Sequence, residues 1–273
     1  MSKHYGILFM GAVVCLGPIG AQADQLADVK ARGTLVCGVL GAFEPFGYSD
    51  LAKRELVGYD VDFCHAIAQR LGVKAEVKPV AIEARIPELQ QGRMDVLAAG
   101  LGYSAQRAEQ VDYSSGYYIS QHKLTVKVDQ GFKSTGDLAG KRVSFTKGGI
   151  TEGFVKASVP GAELVGYEDT PTAFTALAQG KVDAFSVSEI VARRLVSKLG
   201  PKAAQYEVLE PPVGREVWGL GIRKGESGLL GAVNDALADM ESSGEAQKIF
   251  DKWLGAGTMY DMKRSFKIEP IKG

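Results

Sequence analysis

Apolar and polar positions alternate along the first half of the chain in the manner of short strands and helices. The predicted strands are residues 34–39, 74–80 and 94–99. The predicted helices are residues 60–71, 86–91 and 104–110, with Gly72 and Gly92 at two of the helix ends. Residues 94–99 are almost continuously apolar, which is typical of a buried parallel strand. This alternation of strands and helices predicts an α/β lobe with a mostly parallel sheet.

The second half repeats the pattern and predicts a second α/β lobe. Its expected strands are residues 142–146, 163–167 and 182–187, and later helices are expected at 231–240 and 245–253. Residues 89–97 resemble residues 177–185, and each of these stretches ends a helix at a glycine before an apolar strand. Segments 119–128 and 217–223 are expected to cross between the lobes as hinges. We therefore predict lobe 1 as residues 24–125 plus 219–273 and lobe 2 as residues 126–218.

The bulk composition narrows the class of partner. The chain has 273 residues, of which 45% are hydrophobic and 23% charged, as expected for a folded globular protein. Basic and acidic residues are balanced at 32 each, so no overall field attracts nucleic acid. We expect a monomer that binds a small molecule and no nucleic acid.

The first residues have the pattern of an export signal. Lys3 precedes a short apolar run, and Ala21-Gln22-Ala23 matches the small-x-small cleavage pattern. Residues 1–23 are therefore predicted to be a signal peptide, and the mature chain is expected in the periplasm. There, Cys37 and Cys64 either form a disulfide or remain two separate buried thiols. Neither a metal site nor a cofactor is expected.

The stretch 95–118 contains the clearest candidate for binding chemistry. A strand ends in a loop with Gly100 and Gly102, and Ser104 is positioned to cap the next helix. Arg107, in the first turn of that helix, offers a bidentate grip on a carboxylate. The alternative is an ordinary strand-to-helix turn with a solvated arginine.

Four blocks in order along the chain resemble the polar amino-acid-binding family, family 3, of ABC-importer solute-binding proteins. They are GVLGAFEPF with GYDVDFCHAIA at 38–68, IPELQQGRMD at 86–95, SAQRAEQVDY at 104–113, and SGEAQKIFDKWL at 243–254. The resemblance implies two α/β lobes of the type II periplasmic-binding-protein fold, two hinge strands and a non-catalytic cleft that closes on the ligand. It also implies delivery of an amino acid or related carboxylate to a membrane permease.

The resemblance assigns roles to residues of the first lobe. Arg107 corresponds to the anchor of the ligand carboxylate, Phe43 to the aromatic that packs on the ligand, and Gly100 to a backbone contact for its ammonium. Gly102 stands where relatives commonly have Ser or Thr, so a hydroxyl is missing, and Ser104 either compensates or only caps the helix. Phe46 is expected to be a packing residue.

The segment around Arg85 looks most like the glutamate/aspartate-binding branch. In that branch an arginine at this position meets the side-chain carboxylate of the ligand, which would make this a receptor for an acidic amino acid. The alternative is a solvent-facing arginine at a helix start. Leu40 stands where that branch can have another arginine, which weighs against an acidic ligand.

The second lobe departs from the family pattern. The segment with Gly148, Gly149 and Ile150 lacks the hydroxyls found in relatives, although its backbone N–H groups can still face a carboxylate. The aspartate that clamps the ligand ammonium corresponds to Ser188. Glu189 is acidic, but neighbouring strand residues point to opposite faces, so it can substitute only if the chain bends there.

Two other classes remain as alternatives. Periplasmic cyclohexadienyl dehydratases have the same fold, but the position of their catalytic glutamate corresponds to Val191, so we expect no enzymatic activity. A sensory receptor without transport would use the same cleft with a different membrane partner.

Overall fold

The computed structural model describes residues 1, 25–50, 52, 54–81, 84–147, 150–168 and 170–272. The strands are β1 Thr34–Leu40, β2 Ala42–Phe43, β3 Gly47–Asp50, β4 Glu55–Val57, β5 Lys74–Val80, β6 Val96–Leu97, β7 Val111–Lys127, β8 Arg142–Thr146, β9 Glu163–Tyr167, β10 Ala184–Ser188, β11 Tyr206–Val208 and β12 Gly214–Arg223. The helices are α1 Gln25–Arg32, α2 Tyr59–Arg70, α3 Arg85–Gln90, α4 Ala105–Ala108, α5 Thr151–Ser158, α6 Thr170–Ala178, α7 Glu189–Ser197, α8 Ser227–Ser242 and α9 Glu245–Leu254. The predicted signal peptide, apart from Met1, lies outside the described residues.

Two long antiparallel strands join two parallel half-sheets. The strand order is β5-β1-β6-β12-β7-β10-β8-β9, and β11 also pairs with β7. Pairing is parallel within β5-β1-β6 and within β10-β8-β9, and antiparallel where β12 and β7 meet each other and their neighbours. The predicted two-lobed α/β fold with two crossing segments is therefore confirmed, with β7 and β12 as the crossing strands.

Hydrophobic side chains form separate cores on the two sides of the crossing strands. The larger core packs α2, α8 and α9 around β1 and includes Phe63, Ile67, Leu237 and Phe250, all nearly or fully buried. On the other side, Val143 and Val155 belong to one core cluster. Most of the apolar side chains of each half thus pack around that half's own part of the sheet.

Several element boundaries differ from those predicted. The strand expected at 94–99 is regular only at Val96–Leu97, although the backbone N–H groups of Asp95 and Ala98 still donate to Val36 and Gly38 of β1. The helix expected at 104–110 ends at Ala108, because the chain enters β7 at Val111. Both corrections concern the loop between β6 and β7, where the backbone leaves the sheet.

Gly58 is expected to be sensitive to substitution because it allows β3 to pass close to the start of α2. It has φ +143°, and a Cβ at this position would overlap the backbone carbonyl of Phe46. Gly58→Ala should lower the free energy of unfolding by about 2 to 3 kcal/mol, from overlap and backbone strain together. Urea unfolding measures this loss. Gly72→Ala is the matched control, since Gly72 also has a positive φ but open space around it, and should cost only about 1 kcal/mol.

Candidate ligand-binding cleft

Arg107 lies in the short helix α4, directly after the loop that follows β6. The Ser104 hydroxyl caps α4 by accepting a hydrogen bond from the Arg107 backbone N–H at 3.2 Å, as predicted for an N-cap. The Arg107 guanidinium donates from Nη1 to the Gly102 carbonyl at 2.9 Å, and the Tyr113 hydroxyl donates to the same oxygen at 2.9 Å. Among the described residues, no acidic side chain forms an ion pair with Arg107. The half-buried guanidinium therefore keeps donors for an incoming carboxylate.

A buried hydrogen-bond network fixes the backbone of the same loop. The Asp60 carboxyl is fully buried at the start of α2 and accepts hydrogen bonds from the Tyr117 hydroxyl at 2.8 Å and from the Gly100 backbone N–H. Burial raises the pKa of Asp60 well above its usual value, and the two hydrogen bonds partly oppose this. Gly100 has φ +55°. Asp60 thus anchors Gly100 from behind the cleft.

Arg85 reinforces the loop from α3 and brings a second positive charge to it. Arg85 is buried, with only 8% of the residue exposed. Its Nη1 donates to the carbonyls of Ala99 at 2.8 Å and Gly100 at 3.1 Å. The pKa of Arg85 is lowered by burial and by the neighbouring charge of Arg107. The interpretation of Arg85 as a solvent-facing arginine is therefore wrong. Two close guanidinium groups create a positive field that favours an anion.

Phe43 belongs to a cluster of aromatic rings. Phe46 is fully buried and stacks on Phe43 at 5.1 Å between ring centroids, so its predicted packing role is confirmed. Trp218 of β12 lies 5.9 Å from Phe43 and 4.8 Å from Phe46. A Cβ on Gly100 would lie 3.3 Å from the Phe43 ring and 3.4 Å from the Trp218 ring. The sequence interpretation missed Trp218, although it is a large aromatic side chain within a predicted crossing strand.

A cavity of about 520 Å³ opens beside Phe43 and Arg85. Its lining is mostly apolar and consists of Leu40, Gly41, Ala42, Phe43, Pro79, Val80, Ala81, Arg85 and Gly100. Its size and composition are those of small-molecule sites, which are usually apolar with a few polar groups that orient the ligand. The carboxyl ends of β1 and β5 and the loop after β6 meet here, as expected for adjacent parallel strands.

Glu216 is a further charged residue at this site that the sequence interpretation missed. Its side chain on β12 lies against Gly102, where an added Cβ would overlap the Glu216 carboxylate. Glu216 Oε2 accepts a hydrogen bond from the Trp218 indole N–H at 3.1 Å. The absence of a side chain at Gly102 was noticed from the sequence, but nothing there indicated which group fills the space.

The second-lobe candidates Ser188 and Glu189 differ in their burial and in their contacts. Ser188 is the last residue of β10 and is half-buried, and the chain then bends so that Glu189 begins α7. Glu189 is buried, with only 4% of the residue exposed. Its carboxylate forms ion pairs with Lys123 at 3.1 Å and Arg193 at 2.8 Å. The bend required of Glu189 is therefore present, but two cations engage its carboxylate, which favours a structural role.

The glycine-rich segment of lobe 2 is described only in part. Gly148 and Gly149 lie outside the described residues, and Ile150, 50% exposed, precedes α5. Behind it, the Thr151 hydroxyl contacts Nδ1 of His122 at 2.9 Å, and both residues are buried. The ligand contacts assigned to this segment and to Ser188 remain predictions.

The two cysteines of the described chain are buried and free. Of the two alternatives, two unpaired buried thiols is therefore the one found, and burial and the neighbouring Cys37 thiol raise the pKa of Cys64. Within the described residues, no cluster of His, Cys, Asp and Glu side chains has the composition of a metal site. In the same part of the chain, no helix is both long and apolar enough to cross a membrane.

Comparison with known proteins places these features in a family. The profile of the bacterial extracellular solute-binding proteins, family 3, matches residues 35–256. The L-cystine-binding protein TcyJ of Escherichia coli strain K12 is 35% identical over 238 residues, which cover 86% of this chain and 88% of TcyJ. The glutamine-binding protein GlnH of Bacillus subtilis strain 168 is 29% identical, with 86% of each chain covered.

A solved structure and a more distant relative complete the comparison. The structure of an ancestral arginine-binding protein bound to arginine superposes with a TM-score of 0.61 at 37% identity, covering 82% of this chain and 99% of that one. An L-glutamate/L-aspartate-binding protein of Pseudomonas aeruginosa is 28% identical and covers 91% of this chain and 87% of its own. The resemblance to the glutamate/aspartate branch is thus not confirmed, whereas the family is: the chain belongs to the bacterial extracellular solute-binding proteins, family 3.

Proposed function

We propose that the chain is an exported, monomeric receptor that captures an L-α-amino acid in the cleft and delivers it to the permease of an ABC importer. The observation that carries this proposal is the Arg107 guanidinium, which is held by the Gly102 carbonyl and has no acidic partner among the described residues. The neighbouring cation Arg85 lines a mostly apolar cavity together with Phe43 and Gly100, an arrangement suited to a carboxylate attached to a side chain.

Capture requires movement of one lobe against the other. We propose that residues 126–218 rotate about β7 and β12 toward residues 24–125 plus 219–273, with the ligand first bound through Arg107. Ligand shifts the equilibrium toward the closed form only if it binds that form more tightly. The N–H groups of the segment that includes Gly148, Gly149 and Ile150 are the proposed second-lobe contacts, with Ser188 beside them.

L-Cystine is the first ligand to test. The 35% identical relative is named for binding it, and the cavity wall formed by Leu40, Pro79 and Val80 suits its apolar central segment. The buried Arg85 supports a second carboxylate on the ligand, which both L-cystine and an acidic amino acid possess. L-Glutamate and L-aspartate are therefore the second candidates.

The proposed function is tested by thermal shift of the mature, ligand-stripped protein. L-Cystine, L-glutamate, L-aspartate, L-glutamine and L-arginine form the panel, because a ligand that binds the native state raises the midpoint of unfolding. At least one of them should raise it in a concentration-dependent manner. Prephenate and arogenate should not be turned over, since the reported relatives are binding proteins; measurable turnover would instead support the dehydratase alternative.

Arg85→Gln should weaken ligands with two carboxylates selectively. We expect a loss of affinity of about tenfold or more for L-cystine or L-glutamate, whichever binds, and a smaller loss for L-glutamine. Isothermal titration calorimetry measures both. Arg93→Gln is the matched control, because Arg93 is exposed and pairs with Glu88. An equal loss for all ligands would mean that Arg85 only holds the carbonyls of Ala99 and Gly100.

A further inference from the structure

We propose, on the basis of the amino-acid-receptor function, that Glu216 supplies the carboxylate that binds the α-ammonium of the ligand. An α-amino acid carries its ammonium one carbon away from its carboxylate. If Arg107 holds the carboxylate, the ammonium therefore lies within a few ångströms of the Arg107 guanidinium. Two cations, Arg85 and Arg107, share this corner of the cleft, so a nearby anion is needed to make an ammonium favourable there.

Glu216 is held at this corner by backbone pairing. The N–H of Tyr103 donates to the carbonyl of Val217 at 2.8 Å, and the N–H of Gly219 donates to the carbonyl of Leu101 at 3.3 Å. The loop that precedes α4 is thereby joined to β12 on both sides of Gly102. The Glu216 side chain extends over Gly102, the residue whose carbonyl accepts the Arg107 hydrogen bond.

The glycine at position 102 and the glutamate at 216 fit each other. A Cβ at Gly102 would overlap the Glu216 carboxylate and lie 2.8 Å from its Cγ. Any larger residue at 102 would thus force the glutamate away. The Glu216 carboxylate can therefore occupy this space only because residue 102 is a glycine and has no side chain there.

The Glu216 carboxylate retains capacity for a ligand. Oε2 accepts from the Trp218 indole at 3.1 Å, and within the described chain Oε1 has no hydrogen bond. The residue is half-buried, and its negative charge opposes the lowering of the Arg85 pKa that burial and Arg107 cause. An ammonium at Glu216 Oε1 would gain a charged hydrogen bond.

The other acidic side chains near the cleft are engaged elsewhere. Glu189 is contacted by Lys123 and Arg193, and Asp60 is fully buried and accepts from Tyr117 and Gly100. Ser188 is neutral. The ammonium partner is therefore Glu216 of the crossing strand β12 and not a residue of the second lobe. Glu216 can bind the ammonium before the lobes close.

Binding of an amino acid and of its deaminated analogue tests Glu216 separately from the proposed function. The pairs are L-cystine with 3,3′-dithiodipropionate, L-glutamate with glutarate, and L-glutamine with 4-carbamoylbutanoate, measured by calorimetry. Glu216→Gln keeps an acceptor for Trp218 and removes the charge, and should weaken the amino acid about 10- to 100-fold while changing the analogue less than about threefold. Glu207→Gln, a glutamate of β11 paired with Lys133, is the charge-matched control and should leave both affinities unchanged.

Gly102→Ala provides a second route to the same test. It should displace the Glu216 carboxylate and weaken the amino acid, and the double variant Gly102→Ala/Glu216→Gln should be no weaker than the single ones. Wild-type affinity in Glu216→Gln, or equal loss for both members of a pair, would overturn the role of Glu216 while leaving the receptor function intact. Failure of the wild-type protein to bind any amino acid would overturn both.

Discussion

Arg107→Ala should weaken amino-acid binding by at least about 30-fold. Closure over the ligand would bury the charge pair between the guanidinium and the carboxylate, and truncating one partner of such a pair costs about 2 to 5 kcal/mol. Every 1.4 kcal/mol or so is a factor of ten in affinity. The midpoint of unfolding without ligand should change little, since α4 is short and Arg107 is half-buried. Calorimetry with the amino acid that stabilises the wild-type protein measures the change.

Two further variants sharpen the Arg107 experiment. Arg107→Lys keeps the charge but loses the planar fork, and should show an intermediate loss. Arg142→Ala removes a 44% exposed arginine from the start of β8, and should leave affinity unchanged. Near wild-type affinity in Arg107→Ala would mean that the ligand carboxylate is bound elsewhere.

Stability should fall steeply between pH 7 and pH 4.5 because of His122. Burial lowers the pKa of His122 from 6.5 to about 4 in the folded protein. A histidine with a depressed pKa in the folded state stabilises the fold above its unfolded pKa and loses this contribution as the pH falls toward the folded pKa. Over that range the loss should be about 2 to 3 kcal/mol, because one pKa unit corresponds to about 1.4 kcal/mol.

The His122 contribution is isolated by comparison with His122→Gln. Glutamine keeps a partner for the Thr151 hydroxyl but does not titrate. Urea unfolding at pH 7 and pH 4.5 should show about 2 kcal/mol less acid destabilisation in the variant than in the wild-type protein. Parallel pH profiles for the two proteins would contradict a depressed pKa at this position. His65, which is exposed, is the control position.

The fold was predictable because its signals are local. The segments that became β5, β8 and β9 were placed correctly, since each is a short strand bounded by turn residues. The loop after β6 was less predictable. There the chain leaves the sheet at Leu97 and its path depends on hydrogen bonds to Asp60 and β12, which are distant in sequence.

In the candidate site, too, the residues placed by local signals were predictable, and those placed by contacts distant in sequence were not. Phe43, Arg85 and Gly100 follow adjacent parallel strands, so their convergence at one edge of the sheet was predictable. Trp218 and Glu216 come from β12, more than a hundred residues later, and meet Gly102 only through the register of β12 against the loop. No local pattern encodes that register. The engagement of Glu189 by Lys123 likewise depends on the pairing of β10 with β7.

The central claim, that the cleft is an amino-acid receptor site, is tested most directly by calorimetric titration of the mature, ligand-stripped protein. L-Cystine is titrated first, followed by the other amino acids of the panel. We expect saturable binding of an L-amino acid with one site per chain, at micromolar affinity or tighter, and a loss of affinity of at least about 30-fold in Arg107→Ala. No detectable binding of any of these amino acids at millimolar concentration, with the protein shown to be folded, would contradict the claim.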